Sequence, residues 1–435
     1  MTTIEDRLRA ATRAAAGTVA TGSAPPLRLP DREHDRGPVR RRGPGRRRGP
    51  GRRWPSWAAP LAAAAVVTVI FVGVLVVTRL AHLPQNRPGP AGAVTVPLRR
   101  APSVAGAVPP YAVGLAPGPL AAQSTRAVVR ATASGTVLAT LTTPRGYSSF
   151  TWVSAAGDDR TFVLAAYGPG PAAGPGRARD TTAFFLLRLD PGAGTARLTP
   201  LPVPAQPNPP GLGSPISGIA LSPDGSRLAV AFGNETNVRS ELKLFNLRDG
   251  SVRKWRGTRN DGRATADELG ASPLSWTADG RTLAVDEWAG NTINVHLLDT
   301  TAAGSNLWSS RIAVAFADWP SGSVAGSAII TPDGTKIIGM AVARHATQIR
   351  VNEFSAGTGK ALGTMVRLRY RRGAITGWPS VLWSDRSGST LIVKTTRLGT
   401  RPSKNGDLTA GTVGIVSRGR FTPLPGIPAG EMLAW

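Results

Sequence analysis

The sequence has no cysteine, little histidine and few lysines, and each shortage removes a class of function. Without cysteine there is no disulfide, no thiol nucleophile, no thiolate zinc site and no lipid attached through a cysteine. The only imidazoles are those of His34, His82, His296 and His345, and none has a second histidine or a carboxylate at the spacing of an H-E-x-x-H metal helix. His296, within "INVHLLD", reads as a core or surface histidine. No G-x-S-x-G nucleophile elbow occurs. "AGTGKAL" (356–362) mimics a phosphate loop but lacks the full glycine spacing and a hydroxyl after Lys360, so it reads as a hairpin turn. On these grounds the expectation is a protein without cofactor, metal site or catalytic residues.

Charge is abundant and unevenly placed. The 435 residues carry a net charge of +26, with 51 Gly and 38 Pro, and only six of the bases are lysine. Residues 1–53 hold 14 Arg against 5 acids, and nine of those Arg fall between Arg36 and Arg53. Such a run reads as a largely disordered tail in contact with acidic lipid, each base contributing about 1 kcal/mol near an anionic leaflet. No aromatic residues are interleaved to stack on bases, so nucleic acid is not an expected partner. At the start of this tail Thr3 can cap a short helix, with Ile4, Leu8, Ala11 and Ala15 on one face and Glu5 and Asp6 in its first turn. A helix that short is marginal alone in water, so it would dock on a cytoplasmic partner or fray.

Residues 54–80 read as a transmembrane helix. Ala58 to Thr78 is uncharged, and eleven of its residues are Val, Ile, Leu or Phe. At 1.5 Å per residue the span is about 31 Å long, matching a hydrocarbon core of about 30 Å. Trp54 and Trp57 stand where an interfacial aromatic belt belongs. A cleaved signal peptide fits less well, because the leader is long and no clear small-residue cleavage site follows. With the arginines before the span, the N-terminus is expected in the cytoplasm and the C-terminal bulk outside the cell membrane. Residues 81–110 then read as a Pro/Gly-rich stalk, with seven prolines between Pro84 and Pro110.

Residues 111–435 are organised by a repeat. "LSPDGSRLAV" (221–230) returns as "WTADGRTLAV" (276–285) and "ITPDGTKIIG" (330–339). Each copy joins two apolar runs through a turn in which Pro presets φ, Asp caps and Gly accepts positive φ, which is a β-hairpin. "ELKLFNL", the turn "RDG" and "SVRKW" then supply two more strands. The turn glycines Gly225, Gly280, Gly334 and Gly388 lie 55, 54 and 54 residues apart, and Gly157 is expected to head an earlier copy. Four-stranded units at this period predict an all-β fold, a β-propeller. "STRAVVRATASGTVLATL" (124–141) reads as later strands of a blade that lacks its first strand. The terminal "EMLAW" resembles a first-strand end, so Met432 to Trp435 are expected to close a six-bladed ring.

The "SPDGSRLAV", "TADGRTLAV" and "TPDGTKIIG" copies resemble the WD-like repeats of the TolB type, which implies a six-bladed propeller of the bacterial envelope over residues 111–435. The layout of tail, arginine run, single span and propeller also resembles a class of membrane proteins from high-GC actinobacteria. Propellers of this kind host unrelated tasks, so the resemblance implies fold and location rather than activity.

Trp152, Trp276, Trp383 and Trp435 are expected at one shared position, the end of the first strand, where Leu221 and Ile330 stand in other copies. A position open to Trp, Leu and Ile is a packing position rather than a sugar platform. Ligand or partner contacts are expected in the second-to-third and blade-to-blade connections, at Asn234, Glu235, Asn237, Arg259, Asp261, Glu287, Trp288, Asn291, Arg344, His345, Arg371 and Trp378. The favoured reading is a non-catalytic module that binds a protein, peptide or cell-wall glycan. Two alternatives stand beside it. One is a lactonase-like propeller hydrolase, in which Asp286, Glu287 and His345 would converge; the other is a transmembrane regulator of a cytoplasmic transcription factor.

Overall fold

The computed structural model describes residues 93–99, 108–116, 124–169, 180–208, 216–233, 240–257, 268–269, 274–289, 292–302, 306–316, 323–343, 348–369, 379–397 and 410–435. The N-terminal helix, the arginine run and the membrane span of the sequence reading lie outside these residues. Within them the strands fall into six antiparallel sheets, each built on four strands, as the repeat predicts for a six-bladed propeller.

Blade 1 is made from both ends of this region: Met432–Ala434, Tyr111–Leu115, Arg126–Ala131 and Val137–Thr142. Blade 2 is Ser149–Ala155, Thr161–Gly168, Thr181–Asp190 and Thr195–Pro200. Blade 3 is Ile216–Leu221, Arg227–Phe232, Ser240–Asn246 and Val252–Gly257. Blade 4 is Ser275–Trp276, Thr282–Ala289, Thr292–Asp299 and Arg311–Ala315, with Glu268–Leu269 extending its inner edge. Blade 5 is Ser323–Ile330, Lys336–Ala343, Gln348–Ser355 and Ala361–Arg369. Blade 6 is Ser380–Ser384, Thr390–Arg397, Ala410–Ser417 and Arg420–Pro423.

Each blade is covered on both faces, so its inner strands are largely buried on both sides rather than alternating between buried and exposed positions. Tyr111–Leu115 is buried at every position, whereas the outer strand Arg420–Pro423 has no buried position. The core is divided to match. Six buried clusters among the described residues each join one pair of neighbouring blades, running 1–2, 2–3, 3–4, 4–5, 5–6 and 6–1. The last of these packs Trp435 and Leu433 against Ile392 and Val413. The ring is closed as the sequence predicts, through Val113 opposite Ala434, Gly114 opposite Leu433 and Leu115 opposite Met432.

The first-to-second turns explain why the repeat is recognisable. Ser222 Oγ donates to Asp224 Oδ1 at 2.6 Å and accepts from Arg227 N at 2.9 Å, while Asp224 accepts from Ser226 N at 3.1 Å. Thr277 with Asp279 and Thr331 with Asp333 repeat the arrangement, each hydroxyl 2.6 Å from its carboxylate. Gly225, Gly280 and Gly334 follow at φ of 67°, 65° and 74°, a left-handed conformation that glycine adopts without a Cβ penalty.

Three sequence expectations need correction. In blade 2 the glycine role falls to Asp159, with φ of 58°, because Asp158 takes the part of Asp224 and accepts from Arg160 N and Thr161 N. Gly157 instead lets blade 3 come close, its N donating to Pro223 O at 3.0 Å. Of the four tryptophans, only Trp276 and Trp435 hold the Leu221 position. Trp383 stands one residue earlier, opposite Ile392, and Trp152 three residues earlier, opposite Ala165. All four pack between blades, and the indole N–H of Trp152, Trp276 and Trp435 each finds an acceptor at 3.0, 3.3 and 3.1 Å.

The third correction concerns the stalk. Val94–Pro97 is a strand, antiparallel to Thr195–Pro200 on the outer edge of blade 2. Val94 and Val96 pack on the 1–2 core, Leu98 N donates to Gly194 O at 2.8 Å, and Arg99 N donates to Leu138 O of blade 1 at 3.0 Å. The segment is a strap across the rim of two blades. The alternation of Val94, Thr95 and Val96 was its signal, masked by the surrounding prolines.

Candidate functional site

The antiparallel plan sends the first-to-second and third-to-fourth turns to one end of the propeller. The second-to-third and blade-to-blade connections leave from the other. Nearly all the expected contact residues belong to those connections. Asn234, Glu235, Asn237, Arg259, Asp261, Asn291, Arg344, His345, Arg371 and Trp378 lie outside the described residues. Trp288 is described only in its backbone, opposite Ile293 in the second strand of blade 4.

Glu287 is not a loop residue. The hairpin of blade 4 runs on to Ala289 and Thr292, which places Glu287 inside a strand opposite Asn294, 2% exposed. Its Oε2 accepts from Asn294 Nδ2 at 2.7 Å and lies 3.0 Å from His296 Nε2. The other ring nitrogen, Nδ1, stands 3.3 Å from Ser310 O and 3.2 Å from Ser310 Oγ, and the Trp308 ring lies 5.3 Å away at a tilt of 53°. His296 is 1% exposed, which resolves the core-or-surface reading of the sequence in favour of the core. The period-2 alternation supplies the geometry: Val285 and Glu287 share the face toward blade 3, and Asp286 faces blade 5, where its Oδ2 accepts from Ala328 N at 3.4 Å.

A carboxylate against an imidazole is the orienting half of a general-base device. Here both ring nitrogens face protein acceptors and the ring is enclosed, so the pair locks blade 4 to the Trp308 segment. Asp286 and Glu287 project to opposite faces and do not converge. Among the described residues no group of three or more His, Asp or Glu side chains is placed to hold a metal ion.

A second buried polar cluster escaped the sequence reading. Glu431 lies at the entry to the closing strand, where Arg130 Nη2 donates to its Oε1 at 2.9 Å and Lys394 Nζ donates to its backbone oxygen at 2.9 Å. Burial pulls the Lys394 ammonium below its usual range, and the Glu431 charge pushes partly back. Gly114 leaves room for the carboxylate, since a Cβ there would stand 2.0 Å from Glu431 Oε2. These three residues are more than 250 positions apart at the extremes, and no local pattern links them. Nearer the connection end, Tyr167 donates to Asp180, and its phenol is pushed up to about 12 by burial, by that hydrogen bond and by the carboxylate charge. At the turn end, a cavity of about 400 Å³ lies between blades 5 and 6, lined by Met365, Asp385, Ser389 and Arg418 among others.

No protein-family model matches the chain, and no curated protein matches it. Solved structures do. TolB from Acinetobacter baumannii is 17% identical with a TM-score of 0.46, the match covering 75% of this chain and 66% of that one. The β-propeller domain of the trilobed protease from Pyrococcus furiosus is 14% identical, with a TM-score of 0.36 over 64% of this chain and 72% of that one. The acylaminoacyl peptidase of Pyrococcus horikoshii is 11% identical, with a TM-score of 0.36 over 64% of this chain and 39% of that one.

Proposed function

We propose that this protein is a membrane-anchored binding module, with its N-terminal tail in the cytoplasm and a non-catalytic propeller outside that takes a protein, peptide or glycan of the cell envelope. The observation that carries the reading is the contrast between the two ends of the propeller. At the turn end, the hydroxyls and carboxylates of the repeat satisfy one another within each turn. The longer polar connections, rich in Asn, acids and Arg, leave from the opposite end, where a propeller gathers its blades around one mouth. Asp286 and Glu287 project to opposite faces of their strand, which argues against the convergence that the hydrolase reading requires. Anchoring rests on the uncharged run from Ala58 to Thr78 and the arginines before it.

The absence of cysteine gives a clean test of topology. A Thr358→Cys variant, at an exposed turn of blade 5, is expected to react with a membrane-impermeant maleimide on intact cells. A Ser23→Cys variant is expected to react only after permeabilisation. The reverse pattern would remove the extracytoplasmic reading. Capture of envelope components by the intact protein and equally by a version lacking residues 1–53 then identifies the propeller as the binding part; loss of every partner with the tail identifies a cytoplasmic relay instead.

A further inference from the structure

We propose that the outer cleft between blades 2 and 3 is a binding surface for a phosphate-bearing polyanion. Two ladders place base directly opposite base: Arg188 opposite Arg197 in blade 2, and Lys243 opposite Lys254 in blade 3. Like charges at directly opposed positions weaken a sheet, so the opposition itself adds nothing to the fold. Alternation turns both pairs into this cleft, the arginines toward its turn end and the lysines toward its connection end. Leu187, Leu189, Ala196 and Leu198 point into the 1–2 core, which turns Arg188 and Arg197 toward blade 3 along with Phe184 and Leu186. Leu242, Leu244 and Trp255 point into the 3–4 core, which turns Lys243, Lys254 and Arg256 toward blade 2 along with Phe245. Phe184 and Phe245 meet at the floor, with ring centroids 6.4 Å apart.

The charge is cancelled only in part. Glu241 lies 3.7 Å from Lys243 and opposite Arg256, and Asp190 Oδ1 accepts from Ala193 N within its own turn. Among the described residues no carboxylate pairs with Arg188, Arg197, Lys254 or Arg256, although Arg130 and Lys336 elsewhere each hold one at 2.9 and 3.1 Å. Lys243 bridges to Gln206 Oε1 at 2.9 Å and lies over the Phe232 ring at 4.3 Å. Burial holds its ammonium below the usual range, Glu241 opposes this, and the charge of Lys254 adds to it, so an arriving anion relieves a repulsion.

The cleft is also open at the rim. At other junctions a third-to-fourth turn leans on the preceding outer strand: a Cβ at Gly359 would stand 2.4 Å from Ala313 O, and Asn306 bridges to Arg256. A Cβ at Gly250, the matching turn of blade 3, would meet nothing within 4 Å. The neighbouring strand edges are taken, one by Val94–Pro97 and the other at Arg256 by Asn306, so an acidic peptide could not add itself as a further strand. What remains exposed is charge, and Lys254 and Arg256 repeat it about 6.6 Å apart along the strand. Guanidinium forks and ammonium groups together suit the oxygens of successive phosphates.

The test is a titration of the purified full-length protein with inorganic polyphosphate, with poly-L-glutamate of equal total charge alongside. Arg197→Glu with Lys254→Glu changes two exposed outer-strand residues of the cleft. Arg350→Glu with Arg367→Glu makes the same change of charge at a like-charge pair of blade 5, which faces no second pair. The cleft variant is expected to bind polyphosphate at least about tenfold more weakly, with a shallower salt dependence, while the blade 5 variant stays close to the unaltered protein. Poly-L-glutamate is expected to bind more weakly than polyphosphate to the unaltered protein. Equal losses in both variants, equal binding of the two polymers, or no binding of polyphosphate would overturn the proposal. Arg197→Gln with Lys254→Gln is the milder check. Both cleft variants remove a like-charge repulsion and are expected to melt no lower than the parent, and a lower melting temperature would overturn the like-charge argument.

Discussion

Blades 1 and 3 share a four-stranded plan but reach it differently. In blade 3, residues 216–257 supply all four strands in order, and its first two are joined by the self-satisfied Ser222–Asp224 turn. In blade 1 the first strand comes from the far end of the chain and meets the second through only three residue pairs, with no turn between them. The missing turn is replaced by long-range side-chain bonds, Arg130 to Glu431 at 2.9 Å and Trp435 Nε1 to Thr132 Oγ1 at 3.1 Å. A local blade is thus specified by turn chemistry, and a composite blade by buried polar contacts. Closing the composite blade also requires the ordering of everything between its ends, a slow kind of contact.

The largest expected effect comes from removing the closure. Deleting residues 430–435 takes away Trp435, whose loss alone amounts to roughly 3–5 kcal/mol, and opens the 6–1 core. Against a typical total stability of about 5–15 kcal/mol, the cooperative thermal transition should broaden and drop sharply. A deletion variant that melts like the parent would dissolve the distinction between the two blades.

Glu431→Ala sharpens the comparison. It leaves Arg130 without its partner and takes away the carboxylate charge that supports the Lys394 ammonium, although the Lys394 bond to the backbone oxygen remains, and it is expected to cost about 3 kcal/mol in denaturant unfolding. Glu431→Gln, which keeps an acceptor, should lie between the two. Equal stability of all three proteins would mean that the closing strand holds through apolar packing alone.

The smallest effect belongs to the local turn. Asp224→Asn should cost about 1 kcal/mol at neutral pH, since the turn is exposed and only part of its hydrogen bonding is lost. Burial raises the Asp224 carboxyl, but the Ser222 and Ser226 hydroxyls, the Ser226 N–H and the Arg227 charge outweigh it and bring it down to about 2, from an ordinary 3.8. Its contribution is therefore complete above about pH 4 and is lost as pH falls toward 2. Melting curves across that window should converge for Asp224→Asn and the parent; curves that stay parallel would sink the assignment.

The same contrast explains what could be read without coordinates. The Asp-Gly turns, the four-strand count and the closure by Met432 to Trp435 follow from local chemistry and from one unmatched strand at each end. Asp159 was passed over because glycine marks left-handed backbone far more often than aspartate does, and Gly157 stood two residues away. Glu287 was read as a loop residue because strand ends are set by pairing, which extends the blade 4 hairpin to Ala289 and Thr292. The opposed bases of blades 2 and 3 need register as well as sequence. Lys243 and Lys254 are eleven positions apart, and nothing in the spacing announces that they face each other.

The strap redraws the edge of the folded unit. A soluble version begun at Tyr111, where the repeat reading places the boundary, would strip Val94–Pro97 from blade 2 and leave the Thr195–Pro200 edge unpaired beside the apolar patch that Val94 and Val96 cover. Bare edges of that kind invite other chains to pair with them. The choice of first residue thus decides between a well-behaved propeller and one prone to self-association, so a protein made for binding studies should begin before residue 93.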